Sequence, residues 1–206
     1  MSLDSYLDKW KAVPVRTRGL ALIAMITALL VGMAGNENIK RVTGREIVLA
    51  AQPVDPRDLL RGAYVAIDYK IEDIYFSTLE TPPDIAALRR VEQCYLVLHN
   101  DGEAGWRVTQ VLAAKPAAVA ASDVVVRGKF KRWGGPGRAG DDPPVHLNVD
   151  IGADRYFADE KTAKELSEAL RGPAASFDVV LSVGGDGAAV IKALMVNGAR
   201  RDEGLF

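Results

Sequence analysis

Covalent acyl transfer needs a nucleophile beside a base, and this chain offers few. Membrane-anchored peptidases with a serine–lysine pair place the nucleophile just beyond the anchor. From Asn36 to Ile74 there is no serine to activate. The single cysteine, Cys94, lies in Cys94-Tyr95-Leu96-Val97-Leu98, a run that reads as a strand. No neighbouring base or cation would lower its pKa, so a buried, inert thiol is expected, and one cysteine rules out an intrachain disulfide. His99 and His146 each fall near a strand end in no zinc-binding spacing, which makes them structural or solvent-exposed. Asp141-Asp142, with Asp150 and Asp154, could offer oxygens to calcium but lack the spacing of a calcium loop. The glycine-rich runs Gly134 to Gly137 and Gly184 to Gly187 would cradle phosphate only between a strand and a helix N-terminus. Extended or irregular sequence follows both, so they are expected to be turns. The remaining catalytic reading is a hydrolase using Asp55, Asp58 and Glu160, which requires two carboxylates roughly 5–9.5 Å apart on one pocket. No metal or cofactor constellation is visible, and none is expected.

The elements that must position any site begin with an apolar segment. Gly19 to Gly35 carries no charge, and Thr27 is its one polar side chain. These 17 residues form roughly 26 Å of helix against a hydrocarbon core of about 30 Å, the short end of a membrane span. Apolar residues surround the helix instead of marking a stripe, which argues against a buried helix of a soluble domain. Lys9, Lys11, Arg16 and Arg18 precede the segment and Lys40, Arg41 and Arg45 follow it. That small excess puts the N-terminus in the cytoplasm of a bacterial inner-membrane protein and the rest outside. The alternative is a signal peptide cleaved after Ala34, given the small residues of Gly32-Met33-Ala34; the long apolar run and 18-residue leader weigh against it. The expected layout is a leader over 1–18, a span over 19–35 in contact with membrane lipid, a polar connector over 36–45 and an extracytoplasmic domain over 46–206.

That domain is long enough to bury a core unaided. The formal net charge of −1, with scattered basic residues, excludes the electrostatic footprint of a nucleic-acid binder. Residues 46–50 suggest a first strand, ended by Pro53 and Pro56. Tyr64 to Ile74 is the clearest strand, with Val65, Ile67, Tyr69 and Ile71 on an apolar face and Ala66, Asp68, Lys70 and Glu72 on a polar one. Ile85 to Val91 suggests a short helical turn. Cys94 to His99 and Trp106 to Leu112 flank a turn at Asn100-Asp101-Gly102. Val124 to Trp133 and Val145 to Ile151 are further strands, and Phe177 to Val183 with Ala188 to Val196 form a last hairpin. A helix is expected over 159–171, capped by Asp159 and ended by Gly172-Pro173. The result is a mainly β fold, a sandwich or partly open barrel of eight or nine antiparallel strands.

The run Pro53-Val54-Asp55-Pro56-Arg57-Asp58-Leu59-Leu60-Arg61-Gly62-Ala63-Tyr64-Val65-Ala66-Ile67-Asp68-Tyr69 resembles the signature of the GDYXXLXY family. Gly62, Tyr64 and Tyr69 match the motif's glycine and tyrosines, and Ile67 stands for its leucine. Ala63 departs from it, since the motif has aspartate there. Arg155-Tyr156-Phe157, with Glu160 following, resembles the family's second aromatic-and-acidic block, and the similarity spans roughly 45 to 200. The resemblance implies an envelope protein without an established activity, working beside a multi-spanning membrane protein. Alternation puts Tyr64 and Tyr69 on opposite strand faces, with Tyr69 in the core. That leaves Arg57, Arg61, Gly62, Tyr64, Tyr69, Arg155, Tyr156 and Glu160 as motif or binding candidates. Two functional expectations follow: a non-enzymatic module that binds an envelope partner, or a small-ligand or glycan-binding domain with Arg61, Tyr64, Arg155 and Tyr156 lining a cleft.

Overall fold

The structure, a computed structural model, describes residues 14–54, 64–102, 105–134, 145–157 and 176–202. It divides into two units, residues 1–39 and residues 40–206.

Helix α1, Val15–Thr43, begins directly after Pro14, whose carbonyl accepts the Arg18 amide at 3.2 Å. Proline fits this position because its missing N–H would have no partner there. The helix has no apolar stripe, and its most apolar 18-residue window is 0% buried. Leu20, Ile23, Met25, Leu29, Leu30, Val31 and Met33 all stand exposed. It is long and apolar enough to cross a membrane once. The polar connector expected over 36–45 is instead helical through Thr43, and strand begins at Arg45. Polar residues do not break a helix already propagating from an apolar stretch. The last turn belongs to the second unit. There the Lys40 carbonyl accepts from the Gly44 amide and from Ser182 Oγ at 2.7 Å, and Arg41 donates to the Lys192 carbonyl.

The second unit is an all-antiparallel β domain of eleven strands among the described residues. β1 is Arg45–Val54, β2 Tyr64–Tyr69, β3 Asp73–Tyr75, β4 Gln93–Asn100, β5 Trp106–Leu112 and β6 Val124–Gly134. β7 is His146–Asp150, β8 Arg155–Phe157, β9 Phe177–Val183, β10 Ala189–Val196 and β11 Ala199–Asp202. Six form one sheet in the order β11-β10-β9-β1-β2-β8, and five form the other in the order β3-β7-β6-β4-β5. Alternate side chains of both sheets meet in one core: Ile47 and Leu49 of β1, Leu96 and Leu98 of β4, Val126 of β6, Leu147 and Val149 of β7, and Val179 and Leu181 of β9. Cys94 is wholly buried there, and burial pushes its thiol up to about 12.

The hairpins form where turn residues stand between alternating runs. Gly102 and Gly187 adopt positive φ at two of them, a conformation glycine takes without steric cost. Asn197-Gly198, both at positive φ, joins β10 to β11. The short helix α2, Ile85–Leu88, is capped by Asp84, whose side chain accepts the Ala87 amide at 3.0 Å.

Three expectations need correction, and a fourth falls on residues that are not described. Strand β1 runs on through Pro53 to Val54, paired with Ile67 and Ala66 of β2. The strand count exceeds eight or nine because β8 and β11 are only three and four residues long, too short to show a periodicity. The helix expected over 159–171 lies outside the described residues. The long strand from Tyr64 to Ile74 is broken by a 3-10 turn at Lys70–Glu72 and then changes sheet. That turn rotates the alternation, so Glu72 and Ile74 are buried and Ile71 only partly so.

Candidate functional site

The motif strand β2 is held between β1 and β8. Ile67 and Tyr69 share the core-facing register and are buried. Tyr69 stands opposite Ala51 of β1, a small residue that leaves room for the ring. Its hydroxyl donates to the Ala153 carbonyl at 2.7 Å, and the Ile67 amide donates to the Asp154 carbonyl at 2.9 Å. Burial pushes the Tyr69 phenol well above its ordinary pKa, so it remains a donor.

Three residues on, the 3-10 turn drops Glu72 into the interior at 1% exposure. One carboxyl oxygen accepts the Ile151 amide at 3.1 Å, and the other lies 3.3 Å from the Lys131 ammonium. Burial raises the Glu72 pKa to about 7, against the opposing pull of the Ile151 hydrogen bond and the Lys131 charge. Burial also works against the Lys131 charge, but Glu72 and Asp150 outweigh it and its pKa is raised. Tyr69 and Glu72 thus clasp the segment 151–154, which joins β7 to β8. Through that clasp the two motif blocks of the sequence become adjacent strands, with Tyr64 paired to Phe157, Val65 to Tyr156 and Ala66 to Arg155.

Two concavities flank the clasp. One, of about 240 Å³, lies between β3 with its preceding turn and β5, lined by Ile71, Ile74, Trp106 and Val108 with Lys70 and Arg107 among its charged residues. Arg107 is committed elsewhere, to Glu80 at 2.6 Å and to Asp101. The other, of about 370 Å³, is bounded by Arg127, Gly128 and Lys129 of β6, by Asp150 to Gly152, and by Ala188 and Ala189. Glu72 lines neither, although Ile151, its hydrogen-bond donor, forms part of the second.

Tyr69 lies in the core, as alternation implies. Tyr64 and Arg155 fall on neighbouring strands, with Arg155 exposed beside Asp154 at 3.6 Å. Tyr156 turns inward and is buried, so it does not line an outer cleft with Arg155. Consecutive strand residues face opposite ways, which prevents that pair from sharing a surface. Arg57, Arg61, Gly62 and Glu160, with Asp55, Asp58 and Ala63, lie outside the described residues, as do Asp141 and Asp142.

The two histidines pair with carboxylates. His99 Nδ1 lies 2.6 Å from Asp123, and His146 Nε2 lies 3.2 Å from Asp73, which also accepts from Asn148. Among the described residues no three histidines, cysteines or carboxylates gather as a metal-ligand set. The Gly184 to Gly187 run is a turn closed by the Gly187 amide on the Gly184 carbonyl, and β10 follows it. Sequence reasoning overlooked Glu72 and Lys131, which sit at polar positions of alternating runs. Nothing in the stretch Ile71-Glu72-Asp73-Ile74 marks Glu72, and not its neighbour Asp73, as the buried carboxylate.

No curated protein and no solved structure matches the chain. The family described as GDYXXLXY protein matches it over residues 26–194, from within the helix to the penultimate described strand. With that match covering most of the chain, including both motif blocks and the clasp between them, the protein belongs to the GDYXXLXY family.

Proposed function

We propose that the protein is a single-pass membrane protein of the bacterial envelope. Its β domain lies outside the inner membrane and acts as a non-enzymatic binding module for another, multi-spanning envelope protein. The observation that carries this reading is the helix Val15–Thr43, whose apolar side chains from Leu20 to Met33 are exposed all round. Such a surface is stable in hydrocarbon and costly in water. A helix that presents no stripe to its own domain is suited to anchor it. Support for a binding role comes from the rigid β body, in which Arg155 is exposed at an edge and Tyr64 occupies the neighbouring strand.

The test is purification of the full chain from detergent-solubilised membranes. A stoichiometric multi-spanning partner, lost on Tyr64→Ala or Arg155→Ala with the fold intact, is the expected outcome. A chain that purifies alone under gentle extraction, or a partner insensitive to both changes, contradicts it. The small-ligand reading is favoured by one specific observation, the concavity beside β6, whose size lies within the range of small-molecule sites.

A further inference from the structure

Strand β6 has β4 along one side and changes partners along the other. From Lys129 to Gly134 that side is paired to β7. Two residues earlier the β9–β10 turn takes over, with the Arg127 amide donating to the Gly187 carbonyl at 2.7 Å. The gap between these partners is the 370 Å³ concavity, with Gly128 between Arg127 and Lys129 and with Asp150 to Gly152 and Ala188-Ala189 as its remaining walls. Of its small residues Gly152 is exposed, Ala188 and Ala189 are half-buried and Gly128 is buried. A Cβ at Gly128 would press against Cγ1 of the buried Val149, so a larger residue there would displace it.

The charges around the gap are unequally committed. The Arg127 guanidinium comes no closer than 3.9 Å to Asp186, beyond hydrogen-bond reach. Lys129 forms no ion pair among the described residues. The acidic groups accept backbone amides: Asp150 that of Gly152 at 2.7 Å, and Asp186 that of Ala188 at 3.1 Å, while Lys40 lies 3.8 Å from Asp186, about as far as Arg127 does. Two other cations of the domain are firmly partnered. Arg45 donates to three carbonyls at residues 121–123, and Lys192 reaches Glu46 at 2.5 Å. The gap therefore offers a fork of guanidinium donors and an ammonium with spare hydrogen-bonding capacity. Donors of these two kinds are complementary to an oxyanion, the guanidinium in bidentate fashion.

We propose that this gap binds a small soluble ligand through a carboxylate or phosphate group held between Arg127 and Lys129. The inference deepens the binding reading by naming a ligand chemistry, but it requires only the folded β domain. Its failure would leave partner capture intact, and loss of partner capture would leave it intact.

The experiment is a backbone-amide NMR titration of the full chain in neutral detergent micelles, with inorganic phosphate and succinate as separate probes. Expected are saturable shifts at Gly128, Gly152, Ala188 and Ala189 with at least one probe. Arg127→Gln and Lys129→Gln should each weaken binding about tenfold, the scale of one charge-assisted hydrogen bond. Lys70→Gln, at the other concavity, should leave it unchanged. Nanodiscs of anionic phospholipid form a third arm. Shifts at the same amides there, with none from either soluble probe, would replace the soluble ligand with a lipid headgroup and overturn the proposal. Shifts that never saturate, that spread evenly over the basic surface, or that persist in a folded Arg127→Gln/Lys129→Gln variant would also overturn it.

Discussion

The helix and the sheets are both rich in leucine, isoleucine and valine, yet they treat those residues oppositely. In α1 the apolar side chains from Leu20 to Met33 are exposed on every side, whereas in β1 and β6 they alternate between buried and more exposed positions, and in β4 and β9 consecutive ones are buried. Periodicity, not content, separates the two. A period of two lets each sheet turn one face to a shared core and the other to water. An apolar surface without a period leaves a helix nothing of its own to bury against, and demands an apolar surrounding. In a protein that crosses a membrane once, one chain would then be solvated in two ways.

The largest effect should come from attacking the helix side of this comparison. Ile26→Arg with Leu29→Arg places two charges near the middle of the apolar stretch. Each should cost about 3–4 kcal/mol of insertion free energy, enough together to abolish anchoring. Carbonate extraction of membranes should release the variant and retain the parent. Retention of the double variant would contradict a membrane anchor at this helix.

On the sheet side, the expected weak point is the clasp. Glu72 has a folded pKa near 7 against an ordinary value of 4.5. The folded state holds its proton more tightly than the unfolded state. Its contribution is fully present below about pH 4.5 and is lost as pH rises through about 7, a change of about 3 kcal/mol. Glu72→Gln keeps an acceptor for the Ile151 amide but cannot ionise. Chemical denaturation followed by tryptophan fluorescence should therefore show the variant gaining on the parent between pH 5 and pH 8. An unchanged difference would mean that Glu72 does not titrate in that window. The lowered pKa values of Asp73, held down chiefly by Asn148, and of Asp123, held down chiefly by His99, act in the opposite sense and at lower pH.

Two smaller effects sharpen the same side. Gly128→Ala forces a methyl group against Val149 and should cost about 1–3 kcal/mol, read as a lower denaturation midpoint. Tyr69→Phe removes the donor to the Ala153 carbonyl and leaves that buried acceptor unpaired, a loss of about 1–2 kcal/mol in the same assay. A neutral Tyr69→Phe would mean that the clasp rests on Glu72 alone.

Much of this was legible in the sequence because it is local. The hairpins at Asn100–Gly102 and at Gly184–Gly187 follow from turn residues between alternating runs, and Tyr69 follows Ile67 into the core by counting in twos. The departures arise where distant segments decide. Nothing near Lys70 announces a 3-10 turn; the Ile151 amide and Lys131 ammonium that receive Glu72 are 79 and 59 residues away. Strand β8 is too short to show a pattern and exists because β2 supplies its partner. The gap beside β6 is a property of three segments together, so Arg127 and Lys129 read as ordinary polar positions of one strand. In the described part of the family motif, β2 pairs with β8, so the two sequence blocks lie side by side.

The central claim, a single-pass anchor with the β domain outside, is tested most directly by fusing alkaline phosphatase or a green fluorescent reporter to Phe206 in a bacterial host and measuring the size of the product. The account predicts phosphatase activity, a dark fluorescent fusion and a full-length membrane-bound chain. A fluorescent fusion without phosphatase activity, or an active fusion released in soluble form and shortened at Ala34, would contradict it.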